Sequence, residues 1–95
     1  MMILGMVTPK KQELLRQRAA VLKQYEVFSY QVAYYLLEDE TLAAQAASQA
    51  LFELLQDEEF YYQNEYIQKQ KTKESVMKNS LLRKASSYEK EGIKL

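Results

Sequence analysis

The chain has 95 residues, enough for one small domain, and its 13 basic and 13 acidic side chains give a formal net charge of zero. Its 47% hydrophobic and 27% charged residues are typical of a globular protein and exclude a wholly disordered chain. Only two glycines and one proline are present. Because all-β and α/β folds need many tight turns, this composition predicts an all-α fold.

The residue types restrict the chemistry. Neither cysteine nor histidine is present, so common zinc sites, cysteine nucleophiles and serine–histidine relays cannot be built. We therefore predict a binding protein rather than an enzyme, with no cofactor and no metal. The acidic runs at residues 38–40 and 57–59 are interpreted as solvated helix ends, since consecutive helical residues point in different directions. No apolar run reaches the roughly 18–20 residues of a membrane span, and the lack of cysteine favours a cytoplasmic protein.

The charges are segregated along the chain. Residues 24–65 carry nine acids and no base, whereas residues 1–23 carry five bases and one acid, and residues 66–95 carry eight bases and three acids. Two interpretations stay open. Basic outer helices can neutralise an acidic middle helix, or the segments can form separate surfaces for polyanions and for a basic partner.

Three helices are predicted in chain order. The first begins at Thr8-Pro9, a good helix start, and its apolar stripe continues to residue 37 as one long helix. Asp39 is placed to cap a second helix over residues 40–56, in which alanines and serines indicate either high helix propensity or close packing against the first helix. An aromatic cluster at residues 60–66 leads into a lysine-rich third helix over residues 63–90.

These elements predict a three-helix bundle, in which a long antiparallel helical hairpin joined at residues 38–41 packs against the third helix. A single domain is expected over residues 9–91, with an N-terminal extension at residues 1–8 and a C-terminal tail at residues 92–95. Strand pairing is not expected.

Within residues 25–43 a helix rich in aromatics carries Ala33 and a leucine pair, a short turn contains Asp39, and a second helix begins with small residues. This stretch resembles region two of bacterial RNA polymerase sigma factors. In that family an aromatic helix with alanine and a leucine pair meets a short turn containing aspartate, and a second helix then begins with small residues. The positions in register with this pattern are Ala33, Leu36, Leu37, Asp39, Leu42 and Ala43. The bulky end of the second helix, residues 51–55, stands where the family has an aromatic and leucine-rich run. Together these features span about residues 24–60.

The resemblance implies a surface that binds the clamp helices of the largest polymerase subunit. Carried over to this chain, the polymerase-binding residues are Gln45, Ser48, Gln49, Phe52 and Glu53. The family usually has acids near Gln45 and Gln49, and neutral amides make weaker hydrogen bonds to arginine than acids do.

The resemblance also implies contact with single-stranded promoter DNA, since aromatics can stack on unpaired bases and basic residues can follow phosphates. The nucleic-acid-binding residues would be Tyr61, Tyr62, Tyr66, Lys69, Lys71, Lys73, Lys78, Arg83 and Lys84. The alternative is that these aromatics are core and these lysines a solvated face. The chain has no room for the family's second promoter-reading domain, so a second chain is expected to supply it. The competing hypothesis is a helical adaptor or homo-oligomer without DNA contact.

Overall fold

The computed structural model describes residues 9–90, with side chains described for residues 10–86. Within that range the chain forms four α-helices, α1 (Pro9–Lys23), α2 (Glu26–Leu37), α3 (Glu40–Leu55) and α4 (Glu65–Lys90), and a short 3₁₀ helix (Glu58–Tyr62) between α3 and α4. The described residues contain no strand, so the predicted all-α class is confirmed. The predicted N-terminal extension and C-terminal tail lie outside the described residues.

The predicted long first helix is wrong, because the chain breaks at Gln24 and Tyr25 and forms α1 and α2 instead. The amides of these two residues bond to carbonyls three residues earlier, at 3.3 and 2.8 Å, which tightens and ends α1. Tyr25 turns into the core, where its hydroxyl donates to Gln68 Oε1 at 2.9 Å and its ring meets Phe60 edge-on at 6.1 Å. The described helices therefore number four, and the predicted count of three is not confirmed.

The connection between α2 and α3 lies where the sequence predicted it. Glu38 ends α2 in the left-handed region, with φ 52°, and its amide donates to the carbonyl of Tyr34 at 2.7 Å. Asp39 is extended, and its side chain accepts a hydrogen bond from the amide of Leu42 at 2.9 Å. The predicted Asp39 cap is confirmed, and α2 and α3 pack on each other across this tight connection.

Small side chains fill the centre of the fold, where α2, α3 and α4 pack on one another. The fully buried cluster consists of Ala33, Ala43, Ala46, Ala50 and Val76. Side chains this short let helix axes approach closely, so the alanines of α3 contribute packing as well as helix propensity. A second cluster, built from Leu22, Tyr25, Leu54 and Phe60, joins the end of α1 to the end of α3 and to the 3₁₀ helix.

Candidate interaction surfaces

The outer face of α3 carries four of the five predicted polymerase-binding residues. Gln45, Ser48, Gln49 and Phe52 are all exposed, and their spacing places them on one side of the helix. The alanines between them point into the core. The Phe52 side chain is 55% exposed, so a large apolar ring stands on this face without full cover. We call these four residues the α3 outer face.

Glu53, the fifth predicted residue, is directed towards α4. Its Oε1 accepts hydrogen bonds from Lys78 at 3.1 Å, Asn79 at 3.3 Å and Ser75 at 3.4 Å, and its Oε2 accepts from Gln49 at 3.4 Å. Partial burial alone would raise the pKa of Glu53, but the hydrogen bonds from Lys78, Asn79 and Gln49 outweigh it and hold this pKa below its ordinary value. Glu53 thus fastens α3 to α4.

The lowered pKa of Glu53 predicts a pH-dependent contribution to stability. A carboxylate with a depressed folded-state pKa stabilises the fold above its unfolded pKa, here 4.5, and loses that contribution as the pH falls through the folded value. The Lys78 and Glu53 side chains are 60% and 36% exposed, so solvent screens the pair, and Glu53→Gln should cost about 0.5–1 kcal/mol at pH 7. Urea unfolding of the unchanged chain and of the Glu53→Gln variant, at pH 7 and near pH 3, measures the difference in their unfolding free energies. The difference should shrink at the lower pH, and an equal difference at both values would contradict the role of the carboxylate.

The aromatic segment divides into core and surface residues. Phe60 is fully buried, whereas the Tyr62 and Tyr66 side chains are 87% and 68% exposed. Tyr61 is half-buried, and its hydroxyl donates to the carbonyl of Leu54 at 2.8 Å. Burial raises the pKa of Tyr61 to about 12 although the charge of Arg18 acts to lower it.

Two neighbouring side chains also contact the Tyr61 ring. The Arg18 guanidinium lies 5.0 Å from its centroid, and Phe60 packs against it edge-on at 5.0 Å. These contacts cover part of the Tyr61 ring and leave less of it open for the predicted base stacking. Only Tyr62 and Tyr66 of the three predicted tyrosines are exposed enough for stacking.

The predicted basic residues of α4 do not share one side of the helix. Lys69 and Lys73 lie beside α2, whereas Lys71 and Lys78 lie beside α3 around Glu53 and Asp57. The two remaining residues, Arg83 and Lys84, lie further along the helix. The Arg83 side chain is half-buried, and its Nε has no hydrogen-bond partner among the described residues. Lys84 Nζ donates to the carbonyl of Leu36 at 3.5 Å. A single phosphate track along α4 is therefore not supported.

Sequence reasoning missed an apolar groove between α2 and α4, which we call the α2–α4 groove. The groove is open to solvent, has a volume of about 410 Å³ and is lined chiefly by Phe28, Val32, Tyr35, Leu36, Lys73 and Met77. The sequence contained one signal for this groove, because the apolar stripe of α2 includes Tyr35. In the structure Tyr35 is 82% exposed, so part of that stripe is left uncovered by the other helices.

Within the described part of the chain, no group of three or more acidic residues is placed to hold a metal ion. No helix in that part is long and apolar enough to cross a bilayer. Comparisons with protein-family models, with curated proteins and with solved structures found no match for this chain.

Proposed function

We propose that this chain is a sigma-region-two-like transcription regulator that binds RNA polymerase through the α3 outer face and modulates promoter recognition. The observation that carries the proposal is Phe52, an exposed aromatic ring at the C-terminal end of an otherwise polar helix face. When a partner covers a partly exposed phenyl ring, the burial of apolar surface favours binding. Aromatic side chains frequently anchor protein interfaces. The role is binding, not catalysis.

The positions that carry the resemblance support this proposal. Ala33 and Ala43 are fully buried at the contact of α2 with α3, Asp39 caps α3, and Leu36, Leu37 and Leu42 are half-buried. These residues fix the helix pair and leave the α3 outer face directed away from the core. A protein whose α2–α3 pair is built in this way can present α3 to a long helix of a partner.

The chemistry of this face indicates how docking would work. Phe52 supplies the apolar anchor, and the amides of Gln45 and Gln49 can each donate and accept hydrogen bonds with polar side chains of a polymerase clamp helix. Neutral amides bind arginine less strongly than carboxylates do. We therefore expect the polymerase complex to be weaker than that of a sigma factor with acids at these positions, and a second chain to supply further promoter contacts.

Replacing Gln49 and Phe52 together by alanine tests this surface. Loss of an aromatic anchor typically costs about 2 kcal/mol or more, so capture of polymerase should fall by about 30-fold. Both side chains are exposed, so the helical content should not change. The tagged chain is immobilised, incubated with a bacterial lysate and probed for the largest polymerase subunit, and the result is repeated with purified core polymerase.

A matched control replaces Gln70 and Leu82 of α4 by alanine, which removes an exposed amide and an exposed apolar side chain outside the α3 outer face. The control should capture as much polymerase as the unchanged chain. Equal capture by the α3 variant and the unchanged chain would mean that this surface does not bind polymerase.

We also propose that Tyr62 and Tyr66 contact single-stranded promoter DNA in the polymerase complex. They are the exposed aromatics beside the start of α4, and stacking is worth about 1–3 kcal/mol per base. Affinity for a single-stranded oligonucleotide should fall with salt, with a log–log slope of roughly −0.7 per phosphate neutralised. Tyr62→Ala with Tyr66→Ala should weaken binding by about tenfold or more, as followed by fluorescence anisotropy with and without polymerase.

Tyr34→Ala is the matched control for the DNA experiment, because Tyr34 is an exposed tyrosine that belongs to α2 and not to the 3₁₀ helix or α4. It should leave the DNA affinity unchanged. Salt-insensitive binding, or no binding in either condition, would remove DNA from the proposal.

The second candidate is a helical adaptor or homo-oligomer without DNA contact. The observation that favours it is the number of large apolar side chains that are exposed outside the α3 outer face, including Val27 at 69%, Leu81 at 56% and Leu82 at 60%. Sedimentation across a concentration series discriminates the two. Self-association that persists while polymerase is not captured would favour the adaptor.

A further inference from the structure

We propose that the α2–α4 groove is a docking site for an amphipathic helix of a partner protein, one that carries acidic residues beside its apolar anchors. This site is separate from the α3 outer face and does not depend on polymerase binding.

The groove has the shape and surface that a helix requires. Phe28, Val32 and Leu36 follow one another at four-residue intervals along α2, so they form a strip of roughly 12 Å, or about two helical turns. Met77 of α4 lies opposite, and Tyr35 stands at the wall with 82% of its side chain exposed. A helix with apolar residues at positions i, i+3, i+4 and i+7 presents a strip of matching length.

The charges around the groove select an acidic partner. Lys73 lines the groove, the Lys69 ammonium lies 4.8 Å from the Phe28 ring centroid at one end, and Lys84 Nζ lies 3.5 Å from the Leu36 carbonyl at the other. None of the described residues that line the groove is acidic. All three lysines belong to α4, so carboxylates on the side of a docked helix that faces α4 would meet positive charge.

The apolar floor favours a peptide over a nucleic acid. A docked phosphodiester chain would place charged phosphates against Val32, Leu36 and Met77, which lack hydrogen-bond donors in their side chains. A helix instead buries apolar side chains on that floor and keeps its carboxylates at the lysine rim. The groove also accounts for Lys69, Lys73 and Lys84, three residues that the sequence pattern had placed in a nucleic-acid surface.

The groove and the α3 outer face can be occupied separately. The described residues that line the groove belong to α2 and α4, and α3 packs on both of these helices through its alanine face. A partner in the α2–α4 groove therefore leaves Gln49 and Phe52 uncovered, and variants of the two surfaces can be tested independently.

The experiment uses the full chain and two labelled synthetic peptides of about 16 residues, both blocked at their ends. Both carry leucines at positions i, i+3, i+4 and i+7 of one helix face. One peptide has glutamates on both flanks of this face, and the other has lysines there. Fluorescence anisotropy should show binding of the acidic peptide and at least tenfold weaker binding of the basic one. Shifts of backbone amide signals in nuclear magnetic resonance spectra should map the acidic peptide to α2 and α4.

Two groove variants and two matched controls locate the site. Tyr35→Ala and Lys73→Glu should each raise the Kd for the acidic peptide by about fivefold or more, since one removes an aromatic anchor and the other reverses a rim charge. Tyr34→Ala on the same helix and Lys23→Glu on α1 change exposed residues outside the groove and should leave the Kd unchanged. Far-ultraviolet circular dichroism checks that all four variants stay helical.

The remaining outcomes contradict the proposal. If neither peptide binds, or both bind equally, the groove does not select an acidic helix. If a single-stranded oligonucleotide displaces the acidic peptide and loses affinity on Lys73→Glu, the occupant is a nucleic acid. If the chain dimerises without peptide and Tyr35→Ala makes it monomeric, a second copy occupies the groove.

Discussion

Replacing Phe60 by alanine is expected to cost about 3–5 kcal/mol of unfolding free energy, a large part of the total for a domain of this size. The Phe60 side chain is fully buried and packs with Leu22, Tyr25 and Leu54 where α1, α3 and the 3₁₀ helix meet. Removing the Phe60 ring leaves a cavity at the contact of α1, α3 and the 3₁₀ helix. Urea unfolding followed by circular dichroism measures the loss.

Tyr62→Ala is the matched control for this substitution. It removes an aromatic ring from the same 3₁₀ helix, but a ring that is 87% exposed, so stability should change by less than about 0.5 kcal/mol. Equal effects at the two positions would contradict the assignment of Phe60 to the core.

The second large effect on the unfolding free energy is expected when a buried alanine of the small-residue core is replaced by a larger side chain. Ala46 is fully buried in the cluster with Ala33, Ala43, Ala50 and Val76, where the helices pack closely. Ala46→Leu adds three carbon atoms that this space does not hold, and overpacking of this kind typically costs about 1–3 kcal/mol or more. Thermal and urea unfolding should both show the loss.

Ala44→Leu provides the comparison, because Ala44 lies on the exposed side of the same helix. The change in helix propensity from alanine to leucine is the same at both positions. Its effect should stay within about 0.5 kcal/mol. If the two leucine variants were equally stable, the close approach of the helices at Ala46 would be wrong.

The local features of the fold were predictable from the sequence, and the long-range ones were not. The Asp39 cap and the start and end of α3 depend on residues a few positions apart, and the buried alanine face follows from helical periodicity. The break between α1 and α2 depends on Tyr25, whose partners Phe60 and Gln68 lie far along the chain. Periodicity continues across the break, so the pattern alone indicated one helix.

The same distinction applies to the surfaces. The shared side of Gln45, Ser48, Gln49 and Phe52 follows from spacing on one helix. The engagement of Glu53 with Lys78 depends on how α3 and α4 align, which no local pattern fixes. Tyr61 and Tyr62 are neighbours in a five-residue 3₁₀ helix, too short for periodicity to show which ring is buried.

Competition for core RNA polymerase between this chain and an intact sigma factor tests the proposed polymerase binding most directly. A fluorescently labelled chain is bound to purified core polymerase, and unlabelled sigma factor is added while anisotropy is recorded. Because both proteins are proposed to use the same clamp helices, sigma factor should release the labelled chain completely, and the Gln49 and Phe52 double variant should bind too weakly to give a signal. Binding that sigma factor does not displace, or that the double variant retains, would contradict docking through the α3 outer face.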